Sequence, residues 1–213
     1  CATYYTIYAE LSPNEKVSLD VAIGAAYSGR RALCGMKHVG MNVAADSLFY
    51  ASYTGLKSGL VIINADDPGM HSSQNEQDNR NYAKFAKVPM LEPGDSEEAK
   101  SYVRIALEIS EQFDTPVIIR TTTRLSHSRT LVEMDDSSRV IPSNEIPEYE
   151  RNIPKYVMVP ANARRRHPVV EERMKKLAEF AETLEINKIE SGDNEIGIIT
   201  SGVVYQHVRE VFP

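Results

Sequence analysis

The feature that most constrains the fold is a set of short apolar runs without polar alternation, separated from one another by helical patterns. The clearest examples are GLVIIN at residues 59–64 and TPVIIRTT at residues 115–122. Strands that are apolar on both faces are typical of a parallel sheet covered by helices on both sides. We therefore predict an α/β protein with a mostly parallel sheet and helices on both faces.

The flanking segments carry helix boundary signals. The helix predicted over residues 12–29 has Ser12 as its predicted N-cap, Pro13 in the first turn and Glu15 three residues after the cap. Asp95 and Glu98 form a similar start for a helix over 95–113. The other predicted elements are strands at 6–10 (TIYAE), 31–36 (RALCGM) and 88–93 (VPMLEP) and helices at 42–55 and 167–185.

Composition narrows the class of protein. The chain has 213 residues and a net charge of −6, which argues against a nucleic acid as the main partner. No apolar run approaches the roughly 20 residues of a membrane span, and there is no signal-peptide pattern, so we expect a cytoplasmic protein. The two cysteines, Cys1 and Cys34, are too few for a zinc ribbon or an iron–sulfur cluster. Because the chain begins with Cys and stops within a predicted helix, we expect it to be a piece of a longer polypeptide.

Three parts can be distinguished along the chain. Residues 1–133 carry the strand–helix alternation. Residues 134–193 form a crossing segment and an amphipathic helix, since five of the 11 prolines lie between Pro142 and Pro168. Residues 194–213 contain a predicted strand, a Ser-Gly turn and a helix start. We predict that this last part opens a second α/β domain that is cut short.

Ligands of parallel sheets bind beyond the carboxyl ends of the strands, and candidate residues lie there. Lys37 and His38 follow the second predicted strand, with Gly40 permitting a tight turn. Lys37 could bind an anion and His38 could transfer a proton. Alternatively, His38 is a hydrogen-bonded spacer in an ordinary loop.

The segment at residues 64–80, NADDPGMHSSQNEQDNR, offers little to bury. Its acids and His71 suggest a metal site, but their spacing matches no known metal motif and we predict no metal. It could be a simple helix-capping turn. The favoured interpretation is a lid or wall facing a cofactor or substrate, because long polar loops between core strands are usually functional.

A second polar segment, RTTTRLSHSR at residues 120–129, follows the strand over 115–122. It could hold a carboxylate or phosphate, or pair with acidic loops or another subunit. The glycine patterns of dinucleotide and P-loop phosphate sites are absent, as is the G-x-S-x-G pattern of hydrolases.

Several long motifs, in order, resemble a known family. They include SPNEKVSLDVAIGAAYSG, MKHVGMNVAADSL, DDPGMHSSQNEQDNR and RTTTRLSHSR. Together they resemble the alpha subunit of indolepyruvate:ferredoxin oxidoreductase, in the thiamine-diphosphate-dependent 2-oxoacid:ferredoxin oxidoreductase superfamily. The resemblance implies that residues 1–133 are a pyrimidine-binding (Pyr) domain and that residues 194–213 begin a transketolase C-terminal-like domain.

The resemblance also implies roles for individual residues. Glu15 falls at the position of the cofactor glutamate, which is hydrogen-bonded to N1′ of the aminopyrimidine. This hydrogen bond favours the imino tautomer, whose exocyclic nitrogen removes the C2 proton of the thiazolium. Asn42 would also contact the cofactor. The residues expected to line the substrate pocket are Lys37, His38, His71, Ser72 and Gln74.

For the whole enzyme, the resemblance implies oxidative decarboxylation of aryl 2-oxo acids to acyl-CoA, with electrons passed through iron–sulfur clusters to ferredoxin. Magnesium and the cofactor diphosphate would be bound by a pyrophosphate-binding (PP) domain outside these 213 residues. The expected partners are the rest of the alpha subunit, a beta subunit and ferredoxin, and this piece alone should be inactive. The alternatives are a non-catalytic Pyr-fold scaffold and a related enzyme for another 2-oxo acid.

Overall fold

The computed structural model describes residues 7–133, 147–149, 151–192 and 195–212. At its centre lies one sheet of four parallel strands in the order β1-β2-β4-β3. This confirms the predicted α/β class and the parallel sheet. The strands are β1 Ala32–Lys37, β2 Leu60–Asp66, β3 Met90–Leu91 and β4 Val117–Thr122.

Eight helices are found in the described part of the chain, and none is long and apolar enough to span a membrane. The helices are α1 Glu15–Tyr27, α2 His38–Thr54, α3 Arg80–Ala86, α4 Ser96–Phe113, α5 Thr123–His127, α6 Ile153–Tyr156, α7 Pro160–Thr183 and α8 Val203–Val211.

Alternate residues of the central strands β2 and β4 pack into two different hydrophobic cores. Ile62 and Ile118 point to the core formed with α1 and α2, while Val61 and Val117 belong to the core formed with α4 and α7. All four are fully buried. Helices on both faces therefore explain why these strands lack polar alternation. Burial also raises the pKa of the Cys34 thiol to about 12, as expected for a core residue.

Two expectations for the start of the chain are wrong. Residues 7–10 of the predicted TIYAE strand form no strand and are exposed. The N-cap of α1 is Asn14, not Ser12, because the Asn14 side chain accepts a hydrogen bond from the Val17 amide at 3.0 Å. Both residue types cap helices well, and the position of the first helical turn decides between them.

Other boundaries differ from the predictions. Helix α2 begins at His38, four residues early, and α7 begins at Pro160, where proline suits the first helical position. The short helix α3 was missed, and residues 195–200 form no strand. The start of α4 is as predicted, since Asp95 caps it through the Glu98 amide. Much of the predicted Pro-rich crossing, including residues 134–146, lies outside the described residues.

Helices α6 and α7 are anchored at the amino ends of the strands, which we call the amino edge of the sheet. Asp114 follows α4 in a left-handed conformation, and its carboxylate pairs with Lys155 at 2.9 Å and Arg166 at 3.2 Å. Arg173 is buried and donates to the carbonyl oxygens of Asp114 and Ser52. These contacts hold the segment that follows the sheet against the domain.

Candidate active site at the carboxyl edge of the sheet

Polar residues gather at the opposite edge, beyond the carboxyl ends of the strands, which we call the carboxyl edge. Helix α2 begins here, directly after β1 ends at Lys37, and the first turn of α1 lies at the same edge. Glu15 is the first residue of α1 and is half-buried. In the described part of the chain its carboxylate has no hydrogen bond or ion pair, so it does not fold back on Ser12 as a capping side chain would.

Glu15 packs against the first turn of α2. A Cβ atom added to Gly40 would lie 2.5 Å from Glu15 Cγ and 3.0 Å from Glu15 Oε1. Only a glycine leaves room for this approach, because real Cβ contacts are not that short. The carboxylate is thus pressed against the backbone of the turn that carries His38.

The loop between β2 and α3, residues 67–79, is tied to this turn through Lys37 and His38. Lys37 Nζ donates to the Ser72 carbonyl oxygen at 2.8 Å. His38 is fully buried, and its Nε2 lies 3.2 Å from the Asn75 carbonyl oxygen. Because a carbonyl oxygen can only accept, Nε2 carries the proton in this contact, and Nδ1 has no partner among the described residues.

Amide side chains complete the connection. The carbonyl oxygen of His38 accepts hydrogen bonds from Gln77 Nε2 at 3.0 Å and Asn79 Nδ2 at 3.1 Å. The side chains of Asn42 and Gln77 exchange two hydrogen bonds of 2.9 Å. Asn79 is fully buried, so its hydrogen bonds are shielded from water. The loop therefore positions both His38 and Asn42.

Asp67 organises the turn at the start of the same loop. This residue is only 4% exposed and accepts four hydrogen bonds. The donors are the Ser73 hydroxyl at 2.6 Å, the Thr123 hydroxyl at 2.6 Å, the Ser72 amide at 2.9 Å and the His71 amide at 3.2 Å. These hydrogen bonds, above all those from the two hydroxyls, hold the pKa of Asp67 well below its usual range. Asp67 is thus an ionised structural acceptor.

Asp66 and Arg120 form a buried ion pair beside this turn. Arg120 Nε lies 2.6 Å from Asp66 Oδ2, and the other side of the guanidinium pairs with Glu92. The same Asp66 oxygen accepts the Asn79 amide at 3.1 Å. Two of the acids that suggested a metal, Asp66 and Asp67, are therefore held by internal donors. No group of three or more potential ligands is arranged to hold a metal ion within the described ranges.

A cavity of about 660 Å³ opens next to this ion pair, between the ends of β2 and β4 and the start of α8. Three arginines line it: Arg80, Arg120 and Arg124. Arg80 is paired with Asp78 and Arg120 with Asp66, whereas Arg124 has no partner among the residues that the structure describes. The cavity can therefore accept an anionic group.

Buried polar atoms without partners are concentrated at the carboxyl edge. Six such side-chain atoms occur in the described part of the chain, and five of them lie here: His38 Nδ1, Asn64 Nδ2, Asp66 Oδ1, Thr122 Oγ1 and Thr200 Oγ1, the last in the cavity wall. Native interiors satisfy almost all such groups, so a cluster of exceptions marks a place where a ligand or water can bind.

The predicted site residues are brought together to different degrees. Lys37, His38, Asn42 and Ser72 belong to one hydrogen-bonded unit, and Glu15 contacts the α2 turn of that unit. The His71 ring and Gln74 are exposed, and the Gln74 side chain makes no hydrogen bond with the described residues.

Some features of the site were not predicted: the contact of Gly40 with Glu15, and Gln77 and Asn79 as loop anchors. The dense amides of the 67–79 loop were the available signal for these anchors, since amides can both donate and accept. The cavity contains Arg120 and Arg124 of the 120–129 segment, for which an anion site was one of the two interpretations.

Comparison with known proteins identifies relatives of this chain. It is 45% identical over 205 residues to indolepyruvate oxidoreductase subunit IorA of Archaeoglobus fulgidus, and this match covers 95% of the chain. The corresponding subunit of Methanothermobacter marburgensis is 47% identical over 206 residues. The chain covers 32% and 33% of these two relatives, so it spans about a third of their length.

A solved structure has a similar fold. It is 2-oxoglutarate:ferredoxin oxidoreductase from Magnetococcus marinus with 2-oxoglutarate, coenzyme A and succinyl-CoA bound. The TM-score is 0.62 at 16% identity, and the match covers 94% of this chain and 42% of the other. Residues 7–192 also match the family described as pyruvate flavodoxin/ferredoxin oxidoreductase, thiamine diphosphate-binding. The resemblance found in the motifs is thereby confirmed, and this chain belongs to that thiamine diphosphate-binding family of oxidoreductases.

Proposed function

We propose that this chain is the pyrimidine-binding part of a thiamine-diphosphate-dependent enzyme that oxidatively decarboxylates aryl 2-oxo acids such as indolepyruvate. The observation that carries the proposal is the Glu15 carboxylate, which has no partner among the described residues and packs against Gly40 at the carboxyl edge of the sheet. Support comes from the family membership and from the names of the relatives, which are indolepyruvate oxidoreductase subunits. The products would be an acyl-CoA and reduced ferredoxin.

The residues at the carboxyl edge fit the pyrimidine end of the cofactor. Glu15 offers a carboxylate to which no donor of the described residues is bound, and the α2 turn restricts where that carboxylate can lie. His38 Nδ1 and Asn64 Nδ2 are buried polar atoms at this edge that have no partner among the described residues. Bound thiamine diphosphate would supply the electron sink that decarboxylation of a 2-oxo acid requires.

The residues of this chain would then act as follows. Glu15 accepts a hydrogen bond from the aminopyrimidine ring and holds the proton at that ring nitrogen. Lys37, His38 and Asn42 shape the adjoining wall through their hydrogen bonds to the 67–79 loop. His71, Ser72 and Gln74 form the rim that faces the substrate.

We assign the carboxylate of the 2-oxo acid to the arginine-lined cavity. A guanidinium group matches a carboxylate in shape and charge, and Arg124 is the cavity arginine that is not already paired with a described acid. Thr123 lines the same cavity and is bonded to Asp67 at 2.6 Å. This hydrogen bond connects the wall of the cavity to the 67–79 loop.

The remaining functions are assigned to parts outside this chain, which spans about a third of its relatives. We propose that magnesium and the cofactor diphosphate are bound by a PP domain in the rest of the subunit. Iron–sulfur clusters, coenzyme A binding and the ferredoxin contact belong to the rest of the subunit or to a beta subunit. We further propose a cytoplasmic enzyme in which residues 1–133 form the Pyr domain and residues 194–213 begin the next domain.

The test is Glu15→Gln in the full-length complex, assayed for indolepyruvate decarboxylation and ferredoxin reduction. The amide keeps the shape of the side chain but cannot act as a carboxylate, so we expect activity to fall by roughly 100-fold or more. In the wild-type complex, thiamine diphosphate should raise the thermal midpoint, because a ligand that binds only the folded state stabilises that state.

Activity near wild type in Glu15→Gln would contradict the assignment of Glu15. Absence of any thiamine-dependent protection would favour a scaffold that keeps the fold without catalysis. Activity with a different 2-oxo acid but not with indolepyruvate would retain the cofactor role and correct the substrate.

A further inference from the structure

We infer that Gly40 is a positioning residue for Glu15: its missing side chain fixes where the Glu15 carboxylate lies. This inference rests on the proposed function of Glu15. The geometric basis is the short separation between the two residues, with Glu15 Cγ 2.5 Å from the place that a Gly40 Cβ would occupy. Cδ and Oε1 of Glu15 are each 3.0 Å from that same place.

The identity of the closest atom decides the consequence of a substitution. A clash with the tip of a flexible side chain could be relieved by a small rotation there. The Cγ atom, however, moves only if χ1 of Glu15 changes or if the backbone of α1 or α2 shifts. Since χ1 is confined to staggered rotamers, Glu15 can avoid the clash only by changing to another rotamer, and this change moves the whole carboxylate.

The surroundings leave little room for the helices to adjust instead. Gly40 is buried, and its neighbour Met41 is fully buried in the core between α1, α2 and the sheet. Leu19, one turn after Glu15, is fully buried in the same core. Close-packed interiors resist such displacements, so the Glu15 side chain is the element that yields.

Helix α1 contains a matched control. Gly24 is also a helical glycine, but a Cβ added there would meet no atom of another described segment within 4 Å. Gly24→Ala therefore reports the general effect of replacing a helical glycine, which stabilises a helix when space allows. Any difference between Gly24→Ala and Gly40→Ala reports the clash with Glu15.

The experiment uses the full-length complex with magnesium and thiamine diphosphate. The readout is the rate of hydrogen–deuterium exchange at C2 of the bound cofactor, measured by acid quench and NMR. We expect Gly40→Ala to slow this exchange by roughly tenfold or more, because a displaced carboxylate loses its contribution to proton transfer. Gly24→Ala should exchange at the wild-type rate.

A second readout does not depend on the cofactor. The thermal midpoint of the complex is measured without thiamine diphosphate for Gly40→Ala in two backgrounds, wild type and Glu15→Ala. With Glu15 present, the added methyl should lower the midpoint. In the Glu15→Ala background the clash partner is gone, and the same substitution should leave the midpoint unchanged or raise it, as is expected for Gly24→Ala.

The outcomes separate this inference from the proposed function. If Glu15→Gln loses C2 exchange while Gly40→Ala keeps the wild-type rate, the proposed function stands and the role of Gly40 is wrong. An equal drop of the midpoint in both backgrounds would also overturn it, since Gly40 would then serve helix packing alone. Wild-type exchange in Glu15→Gln would overturn the proposed function itself.

Discussion

Two aspartates organise opposite edges of the same sheet in different ways. Asp67, at the carboxyl edge, accepts hydrogen bonds from its own loop and from Thr123, and its carboxylate contacts no cation in the described part of the chain. Asp114, at the amino edge, pairs with Lys155 and Arg166, which lie 41 and 52 residues further along the chain. One aspartate shapes a loop, whereas the other fastens a distant segment.

The two edges also differ in how many of their buried polar atoms have hydrogen-bond partners. At the amino edge, Asp114 also accepts the Leu56 amide at 2.7 Å, and among the described residues Arg173 Nε is the one buried side-chain atom there without a partner. The carboxyl edge leaves His38 Nδ1 and Asn64 Nδ2 without partners among the described residues. A saturated network suits an anchor, while an unsaturated one suits a binding site.

If this contrast is correct, the largest effect on stability should come from Asp114→Ala. The substitution leaves Lys155 and Arg166 without their acid, so we expect the free energy of unfolding to fall by about 2 kcal/mol. Amide hydrogen exchange should accelerate in residues 151–183 and stay unchanged in residues 67–79. Asp114→Asn is the control, because it keeps the Leu56 acceptor and tolerates the left-handed backbone. Faster exchange in the 67–79 loop would show that the two edges are not independent.

Asp67→Ala should have a smaller effect on global stability and a larger one on the loop. The amides of His71 and Ser72 lose their acceptor, so their protection against hydrogen exchange should fall by roughly tenfold or more. Residues 151–183 should keep their protection. Retained protection at His71 and Ser72 would mean that Asp67 does not organise the loop.

Arg124→Ala should have the smallest effect on stability, within about 0.5 kcal/mol, because it removes an exposed side chain without a partner among the described residues. Its effect should appear in catalysis: KM for the 2-oxo acid is expected to rise roughly tenfold while cofactor affinity is unchanged. Arg129→Ala is the matched control, since Arg129 does not line the cavity. Equal KM values for the two variants would contradict the assignment of the cavity.

Sequence patterns predicted the parallel sheet correctly, because apolar runs and helix starts are local signals. That the site lies at the carboxyl edge stays a prediction. The same patterns also located Lys37, His38 and Ser72, which do meet in one hydrogen-bonded unit. The TIYAE prediction was wrong because β propensity alone does not provide a neighbouring strand.

What could not be predicted depends on packing between distant segments. The contact of Glu15 with Gly40 requires the register between α1 and α2, and no local pattern contains it. The same holds for Asp114, whose partners Lys155 and Arg166 lie 41 and 52 residues further along the chain. Arg120 is paired and Arg124 has no partner among the described residues, a difference that does not show until the acids around them are placed in space.

The most direct test of the central claim is the C2 exchange rate of thiamine diphosphate bound to full-length Glu15→Gln, compared with wild type at equal cofactor occupancy. We predict a rate lower by roughly 100-fold or more, because the carboxylate that holds the proton at the aminopyrimidine is gone. An exchange rate equal to that of wild type, with the cofactor fully bound, would contradict the role of Glu15.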